Sequence, residues 1–290
     1  MALVTRPVLS LPHAARQKIA QKTTVIVEEK CLNAHMYNKE FSAVLLDIHE
    51  KGGTISVNHC GKIEKVSNSI TSEKESKTVL RTLCALSFLD RYQDTPIINN
   101  VFCKLNGLIM KPQWTMFHQL EEECSELLTR MGTIENLRSL DTDLICLLCT
   151  LCRWKSANPT ITDLLFEVGR SVWPYMNRSL WDSEPFVDFV CDILEVVGSR
   201  LEQAHPKNFK TAWKVIHKNV IGVSTTAYSR LRLLSVVEHK NRMWSLPEEV
   251  RGFYNQLYKE VCRSYFCLLI YSNGPCSIKS PGQYPGGKSY

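Results

Sequence analysis

Apolar residues that recur at three- and four-residue steps constrain this chain more than any other feature of it. Between 186 and 201 they fall at Phe186, Phe189, Val190, Ile193, Leu194, Val197 and Leu201, one face of an α-helix that turns about 100° per residue. Asp182-Ser183-Glu184-Pro185 comes just before. It supplies oxygens for the free amides of a helix start and a proline that a first turn tolerates. The same period runs through Val250, Phe253, Tyr254, Leu257, Tyr258, Val261 and Tyr265. Shorter versions of it predict further helices over roughly 12–30, 38–51, 72–90, 94–108, 114–131, 137–154, 160–175, 207–221 and 225–243. Strand signals are scarce, and the β-rich Thr23-Thr24-Val25-Ile26-Val27 continues a helical pattern that starts at Lys18. The expected class is all-α. Connectors such as Lys51-Gly52-Gly53, Asn158-Pro159 and His205-Pro206 are short, and helices joined so tightly pack as antiparallel hairpins. About ten helices in series describe a stack of helix pairs.

Two stretches interrupt this pattern. Residues 52–71 are polar and serine-rich and read as a loop or insertion. Residues 272–290 are rich in Gly, Pro and Ser and read as a flexible tail. The expected organisation is therefore one helical-repeat domain over 1–271 followed by that tail.

Composition supports a globular chain and narrows where it works. Hydrophobic residues are 44% and charged residues 22%, enough for a real core. The charge of +6, from 35 Lys and Arg against 29 Asp and Glu, permits an anionic partner without demanding one. Most of the twelve cysteines sit in apolar runs such as Leu144-Ile145-Cys146-Leu147-Leu148-Cys149, where free thiols act as small hydrophobes of a reducing compartment. The opening residues lack the pattern of a signal peptide, and no run of about 18 apolar residues suggests a span. The cytoplasm, and also the nucleus, are the expected locations.

The sequence offers no catalytic constellation. Cys146, Cys149 and Cys152 have metal-site spacing, yet on one helix such thiols drift by about 60° per step and cannot surround an ion. The tail matches a phosphate loop from Gly282 to Gly287-Lys288-Ser289, but the sequence given ends at Tyr290, leaving no helix to face the phosphates. The histidines form no HExxH pair, there is no GxSxG turn, and Glu121-Glu122-Glu123 reads as a solvated or partner-facing surface. No enzyme activity, metal or cofactor is expected.

A basic surface is the positive signal. After Pro206, Phe209, Ala212, Trp213, Ile216 and Val220 share one helix face, while Lys207, Lys210, Lys214, His217 and Lys218 fall on an adjoining one. The next helix adds Arg230, Arg232, Lys240 and Arg242. Paired, the two helices would present one cationic surface suited to RNA phosphates or an acidic segment.

Residues 228–244, Tyr-Ser-Arg-Leu-Arg-Leu-Leu-Ser-Val-Val-Glu-His-Lys-Asn-Arg-Met-Trp, resemble the last block of the middle domain of eukaryotic initiation factor 4 gamma and its relatives. Arg230, Leu233, Glu238, Lys240 and Trp244 take the places of that motif. Phe186 to Glu202, with its apolar face, Gly198 and terminal Leu201-Glu202, looks like the preceding family helix, and Phe117 to Glu123 resembles an earlier one. The likeness runs over about 15–265 and is best after 180. Ser235 stands where members often carry an acidic residue, His239 where they have an apolar one, and Lys240 where arginine is usual. The chain is most similar to the small single-domain translation regulators of the family. The resemblance implies an armadillo-type fold, a right-handed solenoid of about five antiparallel HEAT-like helix pairs. It also implies an adaptor in translational control or mRNA metabolism, binding translation initiation factors, a DEAD-box helicase or an mRNA-binding protein, with direct RNA contact as a further role. Within the motif Leu233 and Trp244 read as packing residues and Glu238 as a helix-pair or capping partner. Lys207, Lys210, Lys214, Lys218 and Arg242 are the surface candidates.

Overall fold

The computed structural model describes residues 30–92, 96–131, 141–153, 159–172, 181, 183–222, 227–254 and 256. The expected helix over 12–30, the tail 272–290 with its phosphate-loop match, and most of the last expected helix lie outside them. The regular structure of the described residues is helical, and no strand occurs among them. In chain order the helices are α1 (30–37), α2 (Lys39–Glu50), α3 (Val57–Ser69), α4 (Glu73–Leu86), α5 (Ile97–Leu108), α6 (Met116–Arg130), α7 (Thr142–Arg153), α8 (Pro159–Val172), α9 (Glu184–Ala204), α10 (Pro206–Ile221), α11 (Ala227–Asn241) and α12 (248–254).

Local chemistry sets several of the starts. Asn38 Oδ1 accepts from the amide of Phe41 at 2.9 Å to begin α2, and Thr115 accepts from His118 to begin α6. Ser72 accepts from the Glu75 amide, while the Glu75 carboxylate reaches back to the amide of Thr71 at 2.7 Å. Such caps contribute roughly 1 kcal/mol each. α5 begins differently. Its N-cap position holds Pro96, with no side-chain cap, and the service comes from Asp90 in the preceding 3-10 turn (Ser87–Tyr92). The buried Asp90 carboxylate accepts from the amides of Ile97 and Asn99 at 2.8 and 3.1 Å. Burial pushes its pKa up to about 6 even though these amide bonds pull the other way.

Residues 52–71 differ from expectation. They hold α3, whose His59, Ile63, Val66 and Ser67 are buried. A capping box closes its start: Ser56 accepts from the His59 amide, and His59 Nδ1 accepts from the Ser56 amide at 3.1 Å. With Nδ1 so used, Nε2 carries the proton and donates to Asp47 on α2 at 2.8 Å. The polar composition hid this helix because its inward face is narrow and histidine replaces the usual Glu or Gln of the box.

The helices meet mainly near neighbours in the chain. α2 touches α3, α4 and α5, and α4 touches α6 and α7. α7 lies against α8 and α9, while α9 contacts α8, α10 and α11. One continuous apolar cluster runs through them from Cys31 to Val237. α7 is its centre, buried without a break from Leu144 to Leu151. Each apolar side chain enclosed this way contributes roughly 1.5–3 kcal/mol of transfer free energy. Cys146 and Cys149 are enclosed and Cys152 is half-buried. Burial raises the Cys149 thiol well above its ordinary value and the Cys152 thiol to about 11. Among the described residues, no group of three or more His, Cys, Asp or Glu side chains could hold a metal ion.

Candidate macromolecule-binding face

α9 and α10 are separated by His205 alone, and Pro206 occupies the first turn of α10. The fixed φ of proline suits a helix start, so α10 begins directly after this one-residue connector. Its inward face is Phe209, Ala212 and Ile216, each at most 2% exposed. Trp213 is half-buried beside them and stacks on Phe209, centroids 5.6 Å apart and planes 17° from parallel.

This burial fixes what the helix shows to solvent. Lys207, Lys210, Lys214, His217, Lys218 and Ile221 are all exposed, and no acidic residue occurs anywhere in α10. None of the four lysines forms an ion pair with a described residue. By helical rotation the four lysines occupy an arc of about 80°. Lysines at i and i+4 repel by a few tenths of a kcal/mol per pair, while the helix dipole, unfavourable to Lys207 in the first turn and favourable to Lys218 in the last, contributes little net. The stripe is electrostatically unfavourable to the free protein, and an anionic partner would relieve it.

The cations expected from α11 do not join this stripe as free charges. Arg232 is buried, 1% exposed. Its Nε donates to Asp188 at 2.9 Å, Nη2 to Asp192 at 2.8 Å and Nη1 to Glu195 at 3.0 Å. Arg153 from α7 adds a second guanidinium, 2.7 Å from Glu195. Asp188, Asp192 and Glu195 stand four and three residues apart, hence on one face of α9. That acidic row inside an apolar helix was the sequence signal for a buried cationic partner. Lys240 pairs with Glu202 at 3.0 Å, its Nζ over the rings of Phe209 and Trp213. Arg242 pairs with Glu238 at 3.3 Å. Arg230 alone of these four is an exposed cation with no partner among the described residues. Glu123, read in sequence with a solvated triplet, is buried and pairs with Arg81, which also pairs with Asp141.

The motif residues of 228–244 build one corner of the core. Leu233 is fully buried. Glu238 accepts from the hydroxyl of Tyr254 at 3.0 Å as well as from Arg242. Met243 and Trp244 leave α11 with φ of 54° and 60°, which swings the Trp244 indole back onto α9. There Nε1 donates to Glu202 at 2.9 Å, and the ring meets Phe209 and His239 edge-on. Burial lowers the His239 pKa.

Fold and face together define an all-helical protein with a lysine-lined helix on its outside. Among the described residues no helix is long and apolar enough to cross a membrane. Neither protein-family models nor curated proteins give a match to the chain.

Proposed function

We propose that this protein is an adaptor in translational control or mRNA metabolism that binds translation factors or mRNA-binding proteins, with the outer face of α10 as a contact to an anionic partner. The observation that carries the reading is the acid-free stripe of Lys207, Lys210, Lys214 and Lys218, free of ion pairs with described residues. Support comes also from the two segments that most resemble the initiation factor 4 gamma middle domain, 186–202 and 228–244. They pack against each other through Gly198, Glu202, Lys240 and Trp244. Contacts between helices near in sequence support the finer architecture, a right-handed armadillo-type solenoid of about five HEAT-like pairs.

The test is capture from a cell lysate on the purified full chain, with and without ribonuclease, beside the Lys210→Glu/Lys214→Glu variant. Initiation factors, a DEAD-box helicase or mRNA-binding proteins should be retained by the native chain and depleted on the variant. A retained set with no translation or mRNA factor in either condition overturns the reading and favours a scaffold in an unrelated pathway.

A further inference from the structure

We propose that the slot over Gly198 is a recognition site for a partner segment bearing a tryptophan side chain, and that Trp244 closes it in cis as a strained, releasable latch. The proposal goes beyond the reading of α10, and its test needs neither RNA nor a translation factor.

The end of α11 carries the observation. The amide of Trp244 donates to the carbonyl of His239 at 2.9 Å, and that of Met243 to the carbonyl of Lys240 at 2.8 Å, the paired bonds of a Schellman motif. That motif needs one left-handed residue, where glycine is usual, and Met243 takes the place with φ of 54°. It does not need a second. Trp244 nevertheless has φ of 60°, so its backbone is set by where the ring goes and not by how the helix ends. Left-handed residues other than glycine are strained, and such outliers concentrate at ligand clamps and switches. Met243 is exposed and recovers none of that strain by burial.

The slot suits an indole. Its floor is the α9 backbone at Gly198, where a β-carbon has no room beneath the six-membered ring. Phe209 and Trp213 from α10 and His239 from α11 form its walls, with centroids 5.9, 6.3 and 5.7 Å from that of Trp244. All three meet the indole edge-on, a geometry that aromatic pairs favour. The polar end is Glu202, which accepts from Nε1 through Oε2 and is held through Oε1 by Lys240 at 3.0 Å. A phenyl ring would fill the walls but leave this acceptor without its donor. Trp244 is half-buried, so the slot meets solvent along one edge and admits a ring from outside once the latch swings away. Ser245, Leu246 and Pro247 link the latch to α12, whose Tyr254 is tied separately to Glu238.

The experiment is calorimetric titration of the full chain with a peptide copying residues 241–247, and with the same peptide carrying phenylalanine in place of tryptophan. Trp244→Gly empties the slot. It should bind the tryptophan peptide at least about tenfold tighter than the native chain does, because a cis occupant lowers the competent fraction. The phenylalanine peptide should bind about three- to tenfold more weakly than the tryptophan peptide, for want of one hydrogen bond to Glu202. Met243→Val is the decisive variant and stands by itself if Trp244→Gly fails to fold. A β-branched residue worsens the left-handed strain at an exposed position. The latch should then open more often and the peptide bind about three- to tenfold tighter than to the native chain, with no such gain when Trp244 is already glycine. No measurable binding by Met243→Val, an affinity unchanged from the native chain, or equal binding of the two peptides overturns the proposal. Concentration-dependent dimers of Met243→Val would assign the slot to a second copy of this chain, and overturn it as well.

Discussion

Trp244 occupies the space that any side chain at position 198 would need: a β-carbon on Gly198 would lie 2.4 Å from Cη2 and Cζ3 of the indole. α9 and the end of α11 thus share one volume, glycine ceding it and tryptophan filling it. Overpacking against a rigid ring costs about 1–3 kcal/mol, more than the helix-propensity gain of about 1 kcal/mol when Gly becomes Ala. Gly198→Ala should therefore destabilise the protein by up to about 2 kcal/mol in chemical denaturation. Gly107, in α5 with open space around it, is the matched control, and Gly107→Ala should stabilise by about 0.5–1 kcal/mol.

Met243 and Trp244 share a left-handed backbone but not its consequences. Trp244 converts the strain into a ring packed partly buried against the core and a 2.9 Å bond to Glu202, whereas Met243 is 89% exposed. Left-handed φ costs a non-glycine residue about 1–2 kcal/mol, against about 0.4–1 kcal/mol of extra chain entropy that glycine loses on folding. Met243→Gly should therefore be neutral to stabilising by up to about 1 kcal/mol. Trp244→Gly removes the ring and should destabilise by about 3 kcal/mol or more. Equal effects at the two positions would contradict this division of roles.

Arg232 satisfies three carboxylates that α9 alone cannot pair. Removing it takes this shared guanidinium from Asp188, Asp192 and Glu195, while Arg153 still reaches Asp192 and Glu195. Breaking a buried ion pair from one side costs about 3–5 kcal/mol, so Arg232→Met should lower stability by that much although methionine suits an apolar core. Replacing Asp188 and Asp192 by Asn in the same chain should recover part of the loss. No recovery would mean that packing, not charge, dominates the site.

Acid should act on the protein through His49. Burial lowers its pKa to about 4, whereas an unfolded histidine titrates near 6.5. The stabilising contribution of neutral His49 is complete above about pH 6.5 and is lost as pH falls toward 4, because the unfolded chain then binds the extra proton. Asp90 has the opposite sign. Its folded pKa is raised, so its contribution is greatest below the unfolded value and declines as pH rises toward about 6. His49→Gln isolates the first effect: the variant should gain stability relative to the native chain by about 2–3 kcal/mol between pH 7.5 and pH 4.5. A pH-independent difference would refute the assignment.

Sequence periodicity located most of the described helices to within a few residues. The apolar steps at 186–201 and the Pro206 start fix α9 and α10 from local spacing and backbone chemistry alone. The lysine file was legible for the same reason, since residues on one helix keep their angular order wherever the helix packs. What sequence could not assign was the direction in which a polar side chain turns. Arg232 and Arg230 are two residues apart and chemically alike, yet one sits at 1% exposure among three carboxylates and the other faces solvent. Glu123 turns inward to Arg81 and α3 buries a face through a largely serine-rich, polar segment, because in each case the deciding partner lies on another helix. The left-handed turn that brings Trp244 to Gly198 is of the same kind. Local rules disfavour it, and it exists because the space on α9 and the carboxylate of Glu202 recover more free energy than the backbone strain costs.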